Sequence, residues 1–408
     1  MGTQYVPNPA GATEGYVLTV LPNESLAYLP APSSDPGTSN WWDELTQRVV
    51  WANSNKEWGT VPLTSPTPVQ DAISDMGGRN IGGTVVLPYG VVNEEGPIDE
   101  YGFKRIIGQG LSEGRFLSND RHGTTLNITG GGDGFLHDTT DDADFSLLHD
   151  FTLRAHDRSD GRAAIRYGGL FTGDGGTTAH AQQAHLGRLR FTEWTNTTAN
   201  DDPGIISAVG THTFSSLWHL LEFSNTSGPA IYAAGNTSTT AGMFYTNQCY
   251  WIGHGPRDDS TVLLIDDRVD MTFGHISCGS STWKILEGNM NDFGYLKIGS
   301  YIFEPNGNFG TNRSEVFQLN GPGFTEIGPG VVYLSSVDSV FNLGSGNGNK
   351  NLTRPRTWDT TINNAIVQIT STPTEPSWYW GPASEIQDDP AAGTGLVRSM
   401  ATAGGANG

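Results

Sequence analysis

TPVQDAISDMGGRNIGGTVVLPYG, residues 67–90, and FKRIIGQG, residues 103–110, carry the reading that decides the fold. Thr67, Pro68 and Gln70 spell a helix start: a hydroxyl at the N-cap, proline at the first helical position, and a glutamine three residues on that can close a capping box. Val69, Ala72, Ile73 and Met76 recur at helical spacing, and Gly77-Gly78 supplies a left-handed stop. The spacing predicts a short amphipathic helix over 68–77. Thr84-Val85-Val86-Leu87 then reads as a buried strand ended by Pro88-Tyr89-Gly90, and Ile106-Ile107 as a second, ended by Gly108-Gln109-Gly110.

This order of helix, GGTVVLP-x-G and IIGQG resembles the opening of pectate-lyase-like right-handed parallel β-helices, a fold shared by polysaccharide lyases, glycoside hydrolases and viral tailspikes. The resemblance implies an all-β solenoid with a helix over its N-terminal end. It implies no lyase activity, because the basic active-site residues of pectate lyases have no counterparts that can be placed here.

Downstream, a repeat of an apolar residue, another three later and a third two further on can be aligned: Leu148/Phe151/Leu153, Leu186/Leu189/Phe191, Phe273/Ile276/Cys278 and Phe293/Leu296/Ile298. Weaker copies lie at Leu217/Leu220, with Phe223 displaced by one, and at Tyr250/Ile252, preceded by Asn247. Their spacing shrinks along the chain, as in a solenoid whose turns carry loops of unequal length. The core is expected to include Val85, Leu87, Ile107, Phe151, Leu153, Leu189, Phe191, Ile276, Leu296 and Ile298. The position between the last two apolar residues gives Thr152, Arg190, Leu221, Trp251, Ser277 and Lys297, all expected to point outward. Leu221 and Trp251 there would need cover from a sugar ring or another subunit.

Three regions are expected: 1–66, 67–340 as the parallel β-helix, and 341–408 as a C-terminal β segment with a Gly/Ala-rich tail. Gly11 to Pro32 resembles the small N-terminal modules by which tail fibres and tailspikes join the viral tail, with Val17-Leu18-Thr19 and Ala27-Tyr28-Leu29 pairing as a hairpin. Trp41, Trp42, Trp51 and Trp58 crowd the neck that follows, as packing between chains of a homotrimer would require.

The formal charge of −21 over 408 residues argues against nucleic acid and anionic membranes as partners. No signal-like segment follows Met1 and no apolar run is long enough to span a bilayer, so no membrane insertion is expected. The basic residues are 17 Arg and 5 Lys, and 27 Asp outnumber 16 Glu. That bias resembles halophilic proteins, and with the tailspike resemblance it points to a tailed virus of a haloarchaeon. Two cysteines, Cys249 and Cys278, read as core thiols.

Carboxylates cluster in the loops between the early turns. Glu193 and Asp202 are the candidate catalytic pair for glycoside hydrolysis, and Glu193 sits beside Trp194, a possible aromatic platform. Candidate ligand-binding residues are Trp194, His212 and Trp218, with a second group at Trp251, His254 and Asp258. The histidines show no HExxH, no zinc spacing and no nucleophile elbow, so no metal and no cofactor are expected. The expected function is a virion tailspike or tail-fibre adhesin that binds a host surface glycan or glycoprotein and joins other tail proteins through its N-terminal region. The alternatives are a polysaccharide depolymerase on the same fold and a structural virion spacer.

Overall fold

A computed structural model describes residues 16–20, 26–30 and 47–399, apart from 78–80, 100, 113–122, 138–144, 156–161, 168–183, 197–202, 210–215, 236–246, 258, 268, 280, 291–293, 306–312, 345, 347–348, 372–375 and 389–396. The chain is all-β, with a long, mostly parallel sheet that does not close on itself. Antiparallel pairing among the described residues is confined to the N-terminal part: Tyr16–Val20 with Leu26–Pro30, and Arg48–Asn53 with both Trp58–Pro62 and Gly83–Val86.

All other pairing from Gly83 onward among the described residues is parallel. Three ladders emerge because single long strands pair with different neighbours at their two ends. In Leu147–Ala155, residues 147–149 pair with Lys104–Ile107, whereas residues 152–155 pair with Thr124–Ile128. Between the two halves Asp150 takes φ 62°, and Arg188 and Leu220 take φ 48° and 55° at the equivalent points of His185–Thr192 and Leu217–Ser224. A left-handed residue there turns the strand from one ladder into the next. The first ladder therefore contains residues 147–149, 185–187 and 217–219, and the second contains 151–155, 189–192 and 221–224. The third runs from Phe135–His137 through Ile165–Tyr167, Ile206–Val209, Ile231–Ala234 and Leu263–Asp267 to Leu286–Met290. This arrangement is consistent with a β-solenoid.

Register builds the core by stacking like on like, about 4.8 Å apart. One inward column is Leu148, Leu186, Trp218, Cys249, Phe273 and Ile298; the next is Phe151, Leu189, Leu221, Ile252, Ile276 and Tyr301; the third is Leu153, Phe191, Phe223, His254, Cys278 and Phe303. All are buried. Phe191 stacks on Phe223 with ring centroids 4.8 Å apart.

Register and burial correct four sequence expectations. Leu221 is in the core, not on the outer face, and Leu217 and Leu220 are the exposed leucines. In LWHLLEF leucine occupies both parities, and the turn at Leu220 resets the alternation. The copy nearest residue 298 is Ile298/Tyr301/Phe303, because Ile298 pairs with Phe273. Thr152 is buried, its Oγ1 accepting from Ser112 N at 3.2 Å. Ile107 is half-buried and its neighbour Ile106 takes the core position.

Helix α1 spans Pro68–Asp75, and Gly77 follows at φ 104°. Val69, Ala72, Ile73 and Met76 are buried, as their spacing requires. The capping box does not form. Glu94 arrives from Gly90–Glu94 instead, its carboxylate accepting from Val69 N at 2.7 Å and Gln70 N at 3.3 Å, while Gln70 Oε1 accepts from Asp99 N at 2.9 Å. Parallel pairing continues past residue 340, through Gly330–Leu343, Arg356–Ile369 and Ile386–Asp388 in one direction and Lys350–Thr353, Ser377–Trp380 and Val397–Ser399 in another.

Candidate binding site

Along the first ladder the side chains alternate, so the residues flanking Leu148, Leu186 and Trp218 face away from the core. They are Leu147 and His149, His185 and Gly187, and Leu217 and His219. Together with Leu186 they line an open cavity of about 480 Å³. Three imidazoles and three leucines on three successive strands give both an apolar floor and hydrogen-bonding groups, the composition by which small polar ligands are oriented.

Gly187 shapes the site. A Cβ at this position would lie 2.2 Å from His149 Cδ2, so the missing side chain makes room for the His149 ring. The Nδ1 edge of that ring is held by Asp150, whose Oδ2 lies 2.5 Å from His149 Nδ1, and Asp150 Oδ1 also takes Arg188 Nη1 at 3.0 Å. The same αL residue that turns the strand thus orients the imidazole.

His185 Nδ1 accepts a hydrogen bond from Leu217 N at 3.0 Å. Its neutral ring therefore carries its proton on Nε2 and offers a donor. Burial lowers the His185 pKa, and a ring nitrogen that accepts a hydrogen bond also favours the neutral form, so the ring is neutral near pH 7. Beside the cavity, Phe103 and Phe145 stack at 5.5 Å and stay partly exposed, both at positive φ. Arg190 Nη2 pairs with Glu222 Oε2 at 2.9 Å on the adjoining second ladder.

The residues singled out from the sequence lie elsewhere. Glu193 is buried at φ 63°, and its Oε2 receives Arg154 Nε at 3.0 Å. Trp194 is fully buried, its Nε1 donating to Leu153 O at 3.0 Å and its ring lying 5.8 Å from the Arg162 guanidinium carbon. It offers no face to a sugar. Trp218 is buried in the first inward column and stacks on Tyr167 at 6.3 Å. His254 is buried between Phe223 and Cys278 in the third column; its Nδ1 lies 2.9 Å from Thr282 Oγ1, and burial pushes its pKa down to about 3. Asp202, His212 and Asp258 lie outside the described residues, as does the side chain of Trp251, so the geometry of the Glu193–Asp202 pair is not defined.

The cavity was missed because its histidines are scattered in sequence. His149, His185 and His219 become neighbours only once the strands are in register. The available signal was the L-L-H of 147–149 and the H-L-G of 185–187, each flanking a core leucine. Among the described residues no group of three or more His, Cys, Asp or Glu is placed to hold a metal ion, and no helix is long and apolar enough to cross a membrane. Comparison with protein-family models, curated proteins and solved structures finds no match to this chain.

Proposed function

We propose that the chain is a right-handed parallel β-helix of the pectate-lyase-like kind that serves as a viral tailspike or tail-fibre adhesin and binds a host surface glycan on the outer face of its first ladder. The observation that supports this reading best is the cavity at His149, His185 and His219: a rigid sheet presenting imidazole donors and acceptors over leucine side chains suits the hydroxyls and C–H faces of a sugar. The long parallel ladder and the cap helix support the solenoid part of the reading. In this proposal residues 1–66 join the chain to other tail proteins, 67–340 carry the receptor face, and three copies assemble on a virion of a halophilic host.

Binding to arrayed cell-surface polysaccharides tests it. The wild-type chain should retain a subset of them, and Leu217→Asp with His219→Ala should lower that affinity about tenfold or more while leaving the circular dichroism spectrum unchanged. Equal binding by the double variant would move the receptor site elsewhere. Release of shorter sugars from a bound polysaccharide, lost in Glu193→Gln, would replace the adhesin by a depolymerase.

A further inference from the structure

The outer face that holds the cavity continues down the first ladder to the C-terminal turns. There register aligns Lys297, Glu326, Asn351, Trp378 and Arg398 in one outward column. Trp380, two residues beyond Trp378, leans back across it, and its Nε1 donates to Asn351 Oδ1 at 2.6 Å. The indole is thereby held in one orientation while the residue stays 50% exposed. Arg354 N donates to Trp380 O at 3.3 Å, fixing the backbone beneath it. Trp378 is 36% exposed, with the Arg398 guanidinium carbon 5.4 Å from its ring.

We propose that Trp380, with Asn351 beside it, is a second stacking subsite for a pyranose ring, and that the ligand is therefore a polysaccharide chain lying along the ladder. The proposal rests on the glycan reading of the histidine cavity. An aromatic ring whose polar atom is already satisfied presents a flat apolar surface at little entropic cost, and the C–H face of a sugar ring matches it. The surroundings favour a sugar over a second copy of the chain. Lys297 pairs with Glu326 at 2.9 Å, and Arg354 holds Glu385 through Nε at 2.8 and 2.9 Å. Protein interfaces are depleted of lysine and glutamate, whereas a site for a polar ligand sets a few charged or polar groups beside an apolar surface to fix its orientation. From Leu217–Ser224 to Ser377–Trp380 there are six ladder steps, so the two subsites lie about 29 Å apart, a span only a chain of several sugars can bridge.

Affinity against chain length decides the matter, using glucan, mannan and galacturonan oligosaccharides graded by length. For at least one series, wild-type affinity should rise with length until the span is bridged. Trp380→Ala should remove that rise, a loss of about three- to tenfold on the longest members, and leave the shortest members unaffected; Trp380→Phe should restore most of it. Unchanged binding of long chains by Trp380→Ala would overturn the second subsite while the cavity reading stands, provided Leu217→Asp still weakens every length. Absence of wild-type binding to all three series would overturn both. A fall in mass by light scattering in Trp380→Ala would assign the indole to a subunit contact and overturn the subsite.

Discussion

Two buried ionisable residues pull the stability of this chain in opposite directions as pH changes. Burial raises Glu94 to about 7, against the opposing hydrogen bonds from Val69 N and Gln70 N, from an ordinary value of 4.5. The folded form thus binds a proton that the unfolded chain has released, and the stability this contributes is lost as pH rises from about 4.5 through 7. Burial lowers His254 to about 3 from 6.5, so its contribution is lost as pH falls from about 6.5 through 3. Each slope is on the order of 1.4 kcal/mol per pH unit, and in the shared window between about 4.5 and 6.5 they cancel. Urea denaturation should therefore show a Glu94 slope and a His254 slope that offset each other in the wild type and are unmasked in the variants. Glu94→Gln should leave a protein that weakens toward acid, and His254→Phe one that weakens toward base. A variant with the opposite sign of slope would contradict the assignment of the group it retains. His254 also shows how a residue eludes sequence reading: histidine in an inward column is exceptional, and only the register with Phe223 and Cys278 reveals that it stands where the other turns carry phenylalanine, leucine or cysteine.

Helix α1 and the strands after it were legible in advance because period and punctuation agreed. Val69, Ala72, Ile73 and Met76 repeat at helical spacing, proline opens the helix, and Gly77 closes it at φ 104°. What replaced the capping box could not be read, since Glu94 lies 24 residues from Gln70 and meets the helix only through the fold. The strands of 147–155 and 185–192 were equally clear, because one leucine or phenylalanine stands at each inward position. LWHLLEF was misread for the opposite reason: with apolar residues at both parities, hydrophobicity alone cannot choose the inward face, and the left-handed Leu220 decides it. Truncating the buried face of the helix tests its role over the first turns. Ile73→Ala should cost about 2–5 kcal/mol by chemical denaturation, whereas Asp75→Ala on the exposed side should cost less than about 0.5 kcal/mol. Leu221→Asp should prevent folding altogether while Leu220→Asp is tolerated, a contrast visible in soluble yield and circular dichroism. The reverse result would put the wrong leucine in the core.

For the whole molecule, the fold class was legible and the candidate site was not. Turn-by-turn periodicity survives variable loops, so a parallel, strand-rich chain could be read from 148–153 and 186–191 alone. The cavity depends on side chains 36 and 34 residues apart, His149 to His185 and His185 to His219, and on a glycine whose value lies in what it leaves empty. Net charge acts at this scale too. With −21 formal charges, self-repulsion reaches further as the Debye length grows from about 3 Å at 1 M salt to about 10 Å at 0.1 M. Melting temperature should fall as salt is removed, and any trimer should dissociate before the strands melt, which light scattering and circular dichroism recorded together would show. A melting temperature that is flat or rises at low salt would remove the halophilic reading.

The pairing of 147–149 with one predecessor and 152–155 with another means that each coil of chain is clasped only by the coil before it and the coil after it. Such a molecule resembles a spring more than a globule. Pulled from its ends, it should release its length in many small increments instead of one rupture, with the force trace stepping by about one coil at a time. Heated, it should fray inward from both extremities, so that the calorimetric enthalpy exceeds the van't Hoff value. For the adhesin proposed above, failure confined to a terminal coil would leave the midsection, and whatever it grips, in place.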